Sequence, residues 1–192
     1  KNNNDITNRL NKLAEDYDHF EALERPVKLN KVIDEISDLI RLREFEQAFA
    51  RYNGNENVFA VSSCTAALEL VATLEDIGEG DEVIIPSHTF CATAIPFAKR
   101  GATIVWADID PCTWVVTDQT IEKCLSDRTK AVVVVHLYGL AAAMAPLIEL
   151  SKQNNFIVVE DCAQAIGAEF CGKKVGTFGD YGCFSFHTHK NI

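Results

Sequence analysis

Lys190 lies in the stretch SFHTHKNI, four residues after the strand-like run YGCFSF (181–186). An amine just beyond a strand end usually faces water. Drawn into a cleft, it loses its proton more easily and attacks a carbonyl to form a Schiff base. A second candidate group lies in FIVVEDCAQAIG (156–167), where Asp161 closes an apolar run and Gln164 follows three residues later. A carboxylate at a dry strand end is costly unless something cationic meets it. A salt bridge or a helix cap would serve. So would a protonated ring nitrogen, with Gln164 donating to another group on the same ring. The third group is SSCT (62–65), between a strand-like and a helix-like segment. The first N–H groups of a helix are unpaired, and together with nearby hydroxyls they can surround a phosphate. N-capping by Ser63 or Thr65 is the purely structural use of the same residues. A phosphate nest, a ring-nitrogen carboxylate and an amine nucleophile are the three handles that pyridoxal 5'-phosphate (PLP) requires. Phe90, in SHTFC, adds a flat face for stacking on a ring.

These groups need elements to bring them together. Strand-like segments at VFAVSS, DEVIIP, ATIVWADID, KAVVVVHLYG, FIVVED and YGCFSF alternate with helix-like ones. The helices are expected in TAALELVATLEDIG, TFCATAIPFAKRG, TDQTIEKCLSD (with Thr117 as N-cap) and APLIELSKQNN, with KVGTFGD as a loop. This alternation predicts an α/β fold, a mainly parallel sheet flanked by helices through right-handed crossovers. A run such as VVVV fits a strand covered on both faces. Ligands in such folds bind beyond the carboxyl ends of strands, which selects Ser62–Thr65, Ser87–Phe90, His136–Gly139, Asp161–Gln164 and Ser185–Lys190. Residues 1–52 differ: they are rich in charge, with apolar residues at helical spacing in KVIDEISDLIRLREFEQAFARY. They predict an N-terminal helical segment of one or two helices ending at NGNEN, ahead of a domain over 53–192.

Composition excludes several classes. A formal net charge of −10 argues against a nucleic-acid groove. There is no GxxxxGK[ST] and no GxGxxG, so neither a nucleoside-triphosphate loop nor a nicotinamide cofactor is indicated. The seven cysteines include no CxxC pair, which fits reduced thiols and a cytoplasmic setting. No run of 18 apolar residues suggests a membrane span, and no membrane or nucleic-acid partner is expected. His187 and His189 lack further ligands at metal-binding spacing, so no metal is expected. His136 and Tyr138 read as packing or supporting groups.

The chain resembles the DegT/DnrJ/EryC1/StrS family, PLP-dependent sugar aminotransferases of fold type I. The resemblance runs from about residue 45 and is carried by FEQAFARYNG, AVSSCTAALEL, GEGDEVIIPSHTFCATAIPFAKRGATIVWADIDP, RTKAVVVVHLYG, VVEDCAQAIGA and VGTFGDYGCFSFHTHKN. It implies that Lys190 is the Schiff-base lysine and catalytic residue, that Asp161 pairs with the pyridine nitrogen, and that Gln164 bonds the ring hydroxyl. It implies Phe90 stacked on one ring face and Ala163 against the other, with Cys64, Thr65 and Ser185 on the phosphate, Cys64 through its backbone N–H. The family usually has glycine where this chain has Cys64. Members with histidine in place of the lysine are sugar dehydratases, so Lys190 favours transamination. The implied reaction moves an amino group, with glutamate as the expected donor, to a keto group of a nucleotide-linked sugar, in a homodimer, as in polysaccharide biosynthesis. Family members continue past this lysine into a smaller C-terminal domain. The resemblance therefore implies an incomplete PLP-binding large domain with the C-terminal small domain absent, a fragment that could be inactive alone. The competing readings are a sugar dehydratase, a fold type I enzyme acting on an amino acid, and a non-catalytic homologue.

Overall fold

The computed structural model describes residues 27–190. Expectations for the first 26 residues lie outside that range. The described chain opens with one continuous helix, α1 (Val27–Asn53). It ends where Gly54 takes a positive φ of 78°, and the N–H groups of Gly54 and Asn55 both bond back to the Ala50 carbonyl, at 2.9 and 3.2 Å. The chain falls into two compact units divided within this helix, after Glu44. In the first, the described residues are helical, and Asp38 and Arg41 pair one turn apart at 3.6 Å.

The second unit, Phe45–Ile192, carries the sheet. Its principal strands are β1 (Glu82–Pro86), β2 (Thr103–Ala107), β3 (Thr129–Val135), β4 (Ile157–Asp161) and, after a short pair, β7 (Tyr181–Cys183). They lie in the order β2-β1-β3-β4-β7, and every pairing is parallel. Helices α2 (Cys64–Leu74), α3 (Ile95–Lys99), α4 (Asp118–Glu122) and α5 (Met144–Asn154) flank it. Central β3 shows why the sequence folds this way. Val132, Val133 and Val134 are fully buried, as suits β-branched residues on a strand covered on both faces. Edge strand β2 leaves Trp106 half exposed. Fully buried Leu68, Ile84, Phe97, Ile121 and Leu147 join helices to sheet in one core.

Three local expectations change. VFAVSS forms no strand: among the described residues Val58–Val61 has no neighbouring strand to pair with, and a strand is not stable without a partner. The helix expected over TFCATAIPFAKRG is broken into a 3-10 turn (Cys91–Thr93) and α3, because Pro96 near the start of α3 has no N–H to carry a helix through. The loop expected at KVGTFGD (174–180) opens inside a strand: its Lys174 belongs to β6 (Lys173–Lys174), which pairs antiparallel with β5 (Glu169–Phe170). Thr117 caps α4 as expected, accepting from the Thr120 N–H at 3.3 Å in a reciprocal capping box.

One buried charge organises the lower part of the sheet. Glu160 is fully buried beside Asp161, and successive strand residues point to opposite faces. Its Oε1 accepts from the N–H groups of Phe178 and Gly179 at 2.7 and 2.8 Å. Its Oε2 accepts from the Gly176 N–H at 2.7 Å and meets His136 Nε2 at 2.9 Å. His136 Nδ1 accepts from the Ala142 N–H at 3.1 Å, which leaves Nε2 as the donor to Glu160. His136, Glu160 and Cys162 lie close enough to suggest a metal site, but these bonds occupy the histidine nitrogens and both carboxylate oxygens. Glu160 thus clamps the 176–179 turn that leads into β7. Burial pushes its carboxyl up, but the bonds from His136, Gly179 and Gly176 outweigh burial, and it titrates below the ordinary glutamate value. A carboxyl depressed on folding stabilises the fold above its unfolded pKa and loses that contribution as pH falls through the folded one. Glu160→Gln is therefore expected to cost about 1–3 kcal/mol in urea denaturation at neutral pH. The gap to the parent should narrow below the ordinary carboxylate range. A gap that stays constant with pH would contradict this account.

Candidate active site

The carboxyl ends of β1, β3 and β4, the start of α2 and the segment after β7 enclose a cavity of about 640 Å³. Cys64, Thr65, Phe90, Asp161, Ala163, Gln164, Ser185 and Lys190, the eight residues singled out from sequence, all line it. The crevice forms where the strand order turns back on itself, with β2 on one side of β1 and β3 on the other.

At the α2 end, Ser63 has extended backbone and its Oγ accepts from the Ala66 N–H at 3.1 Å. The structural use of SSCT is thus real, and Ser63 fills it. The N–H groups of Cys64 and Thr65 belong to the first helical turn and have no protein acceptor among the described residues. Two donors at the positive end of a helix dipole suit an anion.

Asp161 ends β4, level with Val135 and Cys183 on the adjacent strands, and is 6% exposed. Its Oδ2 accepts from Thr93 Oγ1 at 2.9 Å, and Thr93 Oγ1 lies 2.8 Å from Thr89 Oγ1. Its Oδ1 accepts from the Ala163 N–H at 3.1 Å and from the Cys64 thiol at 3.9 Å. No basic side chain forms a salt bridge with it among the described residues. A buried carboxylate with three neutral donors and no counter-ion among the described residues is set up to receive a cation. Gln164 Oε1 accepts from the Tyr138 N–H at 3.0 Å, which leaves the amide nitrogen as its free donor. Tyr138 itself is held at a positive φ of 55°, and its largely exposed ring meets His88 edge-on at 6.1 Å. His136 is buried in the Glu160 cluster.

Phe90 lies exposed at the cavity rim. The segment after β7 is braced from below: Phe186 meets Phe45 and Phe49 edge-on at 4.9 and 5.2 Å, and Phe184 meets Phe49 at 5.0 Å. Beyond it the chain turns, the Lys190 N–H bonding the His187 carbonyl at 2.8 Å. The His187 and His189 rings lie 5.1 Å apart in that turn, tilted by 42°, and join no third ligand among the described residues. The sequence points to Thr89 only as part of Ser87–Phe90 and singles out neither Thr93 nor Glu160. The signal for the threonines is two hydroxyls one helical turn apart after a strand end, with the aromatic Phe90 between them.

The coenzyme suggested by the sequence can be tested against these groups. Unclaimed helix-terminal N–H groups suit a phosphate, a buried carboxylate without a counter-ion suits a protonated ring nitrogen, and an amine lines the same cavity. The donor set fits PLP.

A model of the DegT/DnrJ/EryC1/StrS aminotransferase family matches residues 30–192. The chain belongs to this family. It is 41% identical over 178 residues to a UDP-N-acetyl-3-dehydro-alpha-D-glucosamine 3-aminotransferase of Acidithiobacillus ferrooxidans, covering 91% of this chain and 48% of the relative. It is 42% identical over 151 residues to the GDP-perosamine synthase of Escherichia coli O157:H7, covering 79% and 42%. The fold matches a Streptococcus pneumoniae protein described as a sugar aminotransferase, in its PLP form, with a TM-score of 0.75 and 29% identity over 83% of this chain and 47% of that one. The chain thus spans somewhat less than half the length of the curated relatives it matches. Among the described residues no helix is long and apolar enough to cross a membrane.

Burial, followed by the charges of Asp161 and Cys183, pushes the Cys64 thiol far up, with Lys190 pulling the other way. Burial also raises Cys162, and raises Cys183 to about 12. Thiolates, not thiols, alkylate. Iodoacetamide at mildly alkaline pH, read by peptide mass mapping, should label exposed Cys91, Cys112 and Cys171 and spare Cys64, Cys162 and Cys183. Labelling of Cys64 as fast as Cys91 would contradict its place in the cavity wall.

Proposed function

We propose that this chain forms the coenzyme-binding part of a PLP-dependent aminotransferase that transfers an amino group, with glutamate as donor, to a keto group of a nucleotide-linked sugar. The observation that carries this reading is the convergence of Asp161, the α2 N-terminus and Lys190 on one cavity. The names of the sugar-aminotransferase relatives support the substrate class. In this reading residues 53–192 act as the PLP-binding large domain, residues 1–52 are a helical lead-in, and the working unit is a cytoplasmic homodimer.

The backbone N–H groups of Cys64 and Thr65, with the hydroxyls of Thr65 and Ser185, would hold the phosphate. Asp161 would keep the ring nitrogen protonated, Gln164 would donate its amide to the ring hydroxyl, and Phe90 and Ala163 would bracket the ring. When bound, the coenzyme supplies an electron-accepting ring. Lys190 supplies the nucleophilic amine that anchors it. The same Nζ would serve as the base that takes a proton from the donor's α-carbon and as the acid that gives one back.

Borohydride reduction of the full chain loaded with PLP, followed by peptide mapping, should fix a pyridoxyl group on Lys190. Lys190→Ala should lose that label and slow conversion of glutamate by about 100-fold or more. Label spread over surface lysines, equal in parent and variant, would overturn the assignment.

A further inference from the structure

We infer that Thr93, supported by Thr89, is the residue that positions the Asp161 carboxylate for the coenzyme's ring. The inference rests on the reading of Asp161 as the partner of a ring nitrogen. Thr93 is 2% exposed, and its hydroxyl lies 2.9 Å from Asp161 Oδ2. An ionised carboxylate only accepts, so the Thr93 hydroxyl donates to it. That spends the Thr93 proton, so in the 2.8 Å contact between the two threonines Thr89 is the donor. The result is a directed chain, Thr89 to Thr93 to Asp161, whose bonds polarise one another in the same sense. The Ala163 N–H and the Cys64 thiol hold the other oxygen.

The three donors leave the carboxylate little freedom to rotate. The Ala163 N–H is backbone, and the thiol at 3.9 Å is a weak donor. Thr93 is thus the strong side-chain restraint. It sits in the 3-10 turn after β1, while Asp161 ends β4. The bond ties together two strand ends that are not neighbours in the sheet, across the mouth of β3. Cys64 contributes a donor that a glycine at that position would not.

The test uses the full chain, with PLP binding followed by absorbance titration and inorganic phosphate as a competing probe. Thr93→Val keeps the shape and removes the hydroxyl. Losing a hydrogen bond to a charged group should weaken PLP binding on the order of ten-fold or more. The inhibition constant of inorganic phosphate, whose expected site is the α2 end and Ser185 and not Asp161, should stay at the parental value. Thr93→Ser should restore PLP affinity to within about two-fold of the parent, an expectation that follows from keeping the donor. Parental affinity in Thr93→Val, or equal losses in the Val and Ser variants, would overturn the inference, as would a parallel loss of phosphate binding. Should Thr93→Val not fold, Thr89→Val decides: a loss of about two- to five-fold supports the chain of donors, and parental affinity overturns it. A parent chain that binds PLP while Thr93→Val binds it equally well sinks this inference alone. A parent that binds no PLP sinks the reading beneath it as well.

Discussion

The charge on Asp161 constrains the rest of the site. A carboxylate removed from water at the end of β4 would be costly alone, and hydrogen bonds from Thr93, Ala163 and Cys64 offset only part of that cost. No basic side chain completes the balance among the described residues. The remaining electrostatic demand points into the cavity, toward whatever cation the cavity holds. The unclaimed N–H groups of α2 make the complementary demand for an anion. A single ligand with a phosphate at one end and a protonated nitrogen at the other meets both.

Two adjacent acids divide the work through the two-residue period of a strand. Asp161 faces the cavity. Glu160 faces the opposite layer, where it collects the N–H groups of Gly176, Phe178 and Gly179 and the ring of His136. This clamp fixes the turn before β7, and β7 delivers Ser185 and the segment that ends at Lys190. Close packing enforces the same turn: a methyl group on Gly182 would lie 2.3 Å from the Gly176 carbonyl oxygen. A slip of one residue in β4 would exchange the two acids and lose both the clamp and the site.

Much of this was legible in the residues. The five parallel strands follow from apolar runs spaced by helical segments, and the site residues from the rule that strand ends hold ligands. What escaped has physical causes. VFAVSS carries every local mark of a strand, but a strand needs a neighbour, and no local pattern announces one. The helix break at Ala94 follows from Pro96, which fits a first helical turn and not a helix interior. Glu160 reads as an ordinary strand residue, because its partners come from a turn 16 to 19 positions later and from His136, 24 positions earlier. Thr93 could be recognised only once β1 and β4 stood in one sheet, since 68 residues separate it from Asp161.

The central claim is that Asp161 stands buried to hold a protonated ring nitrogen. The direct measurement is the 15N chemical shift of ring-labelled PLP bound to the full chain. The account predicts a pyridinium value through neutral and mildly alkaline pH, lost in Asp161→Asn. A neutral-pyridine value in the parent, or one unchanged by the substitution, would contradict it.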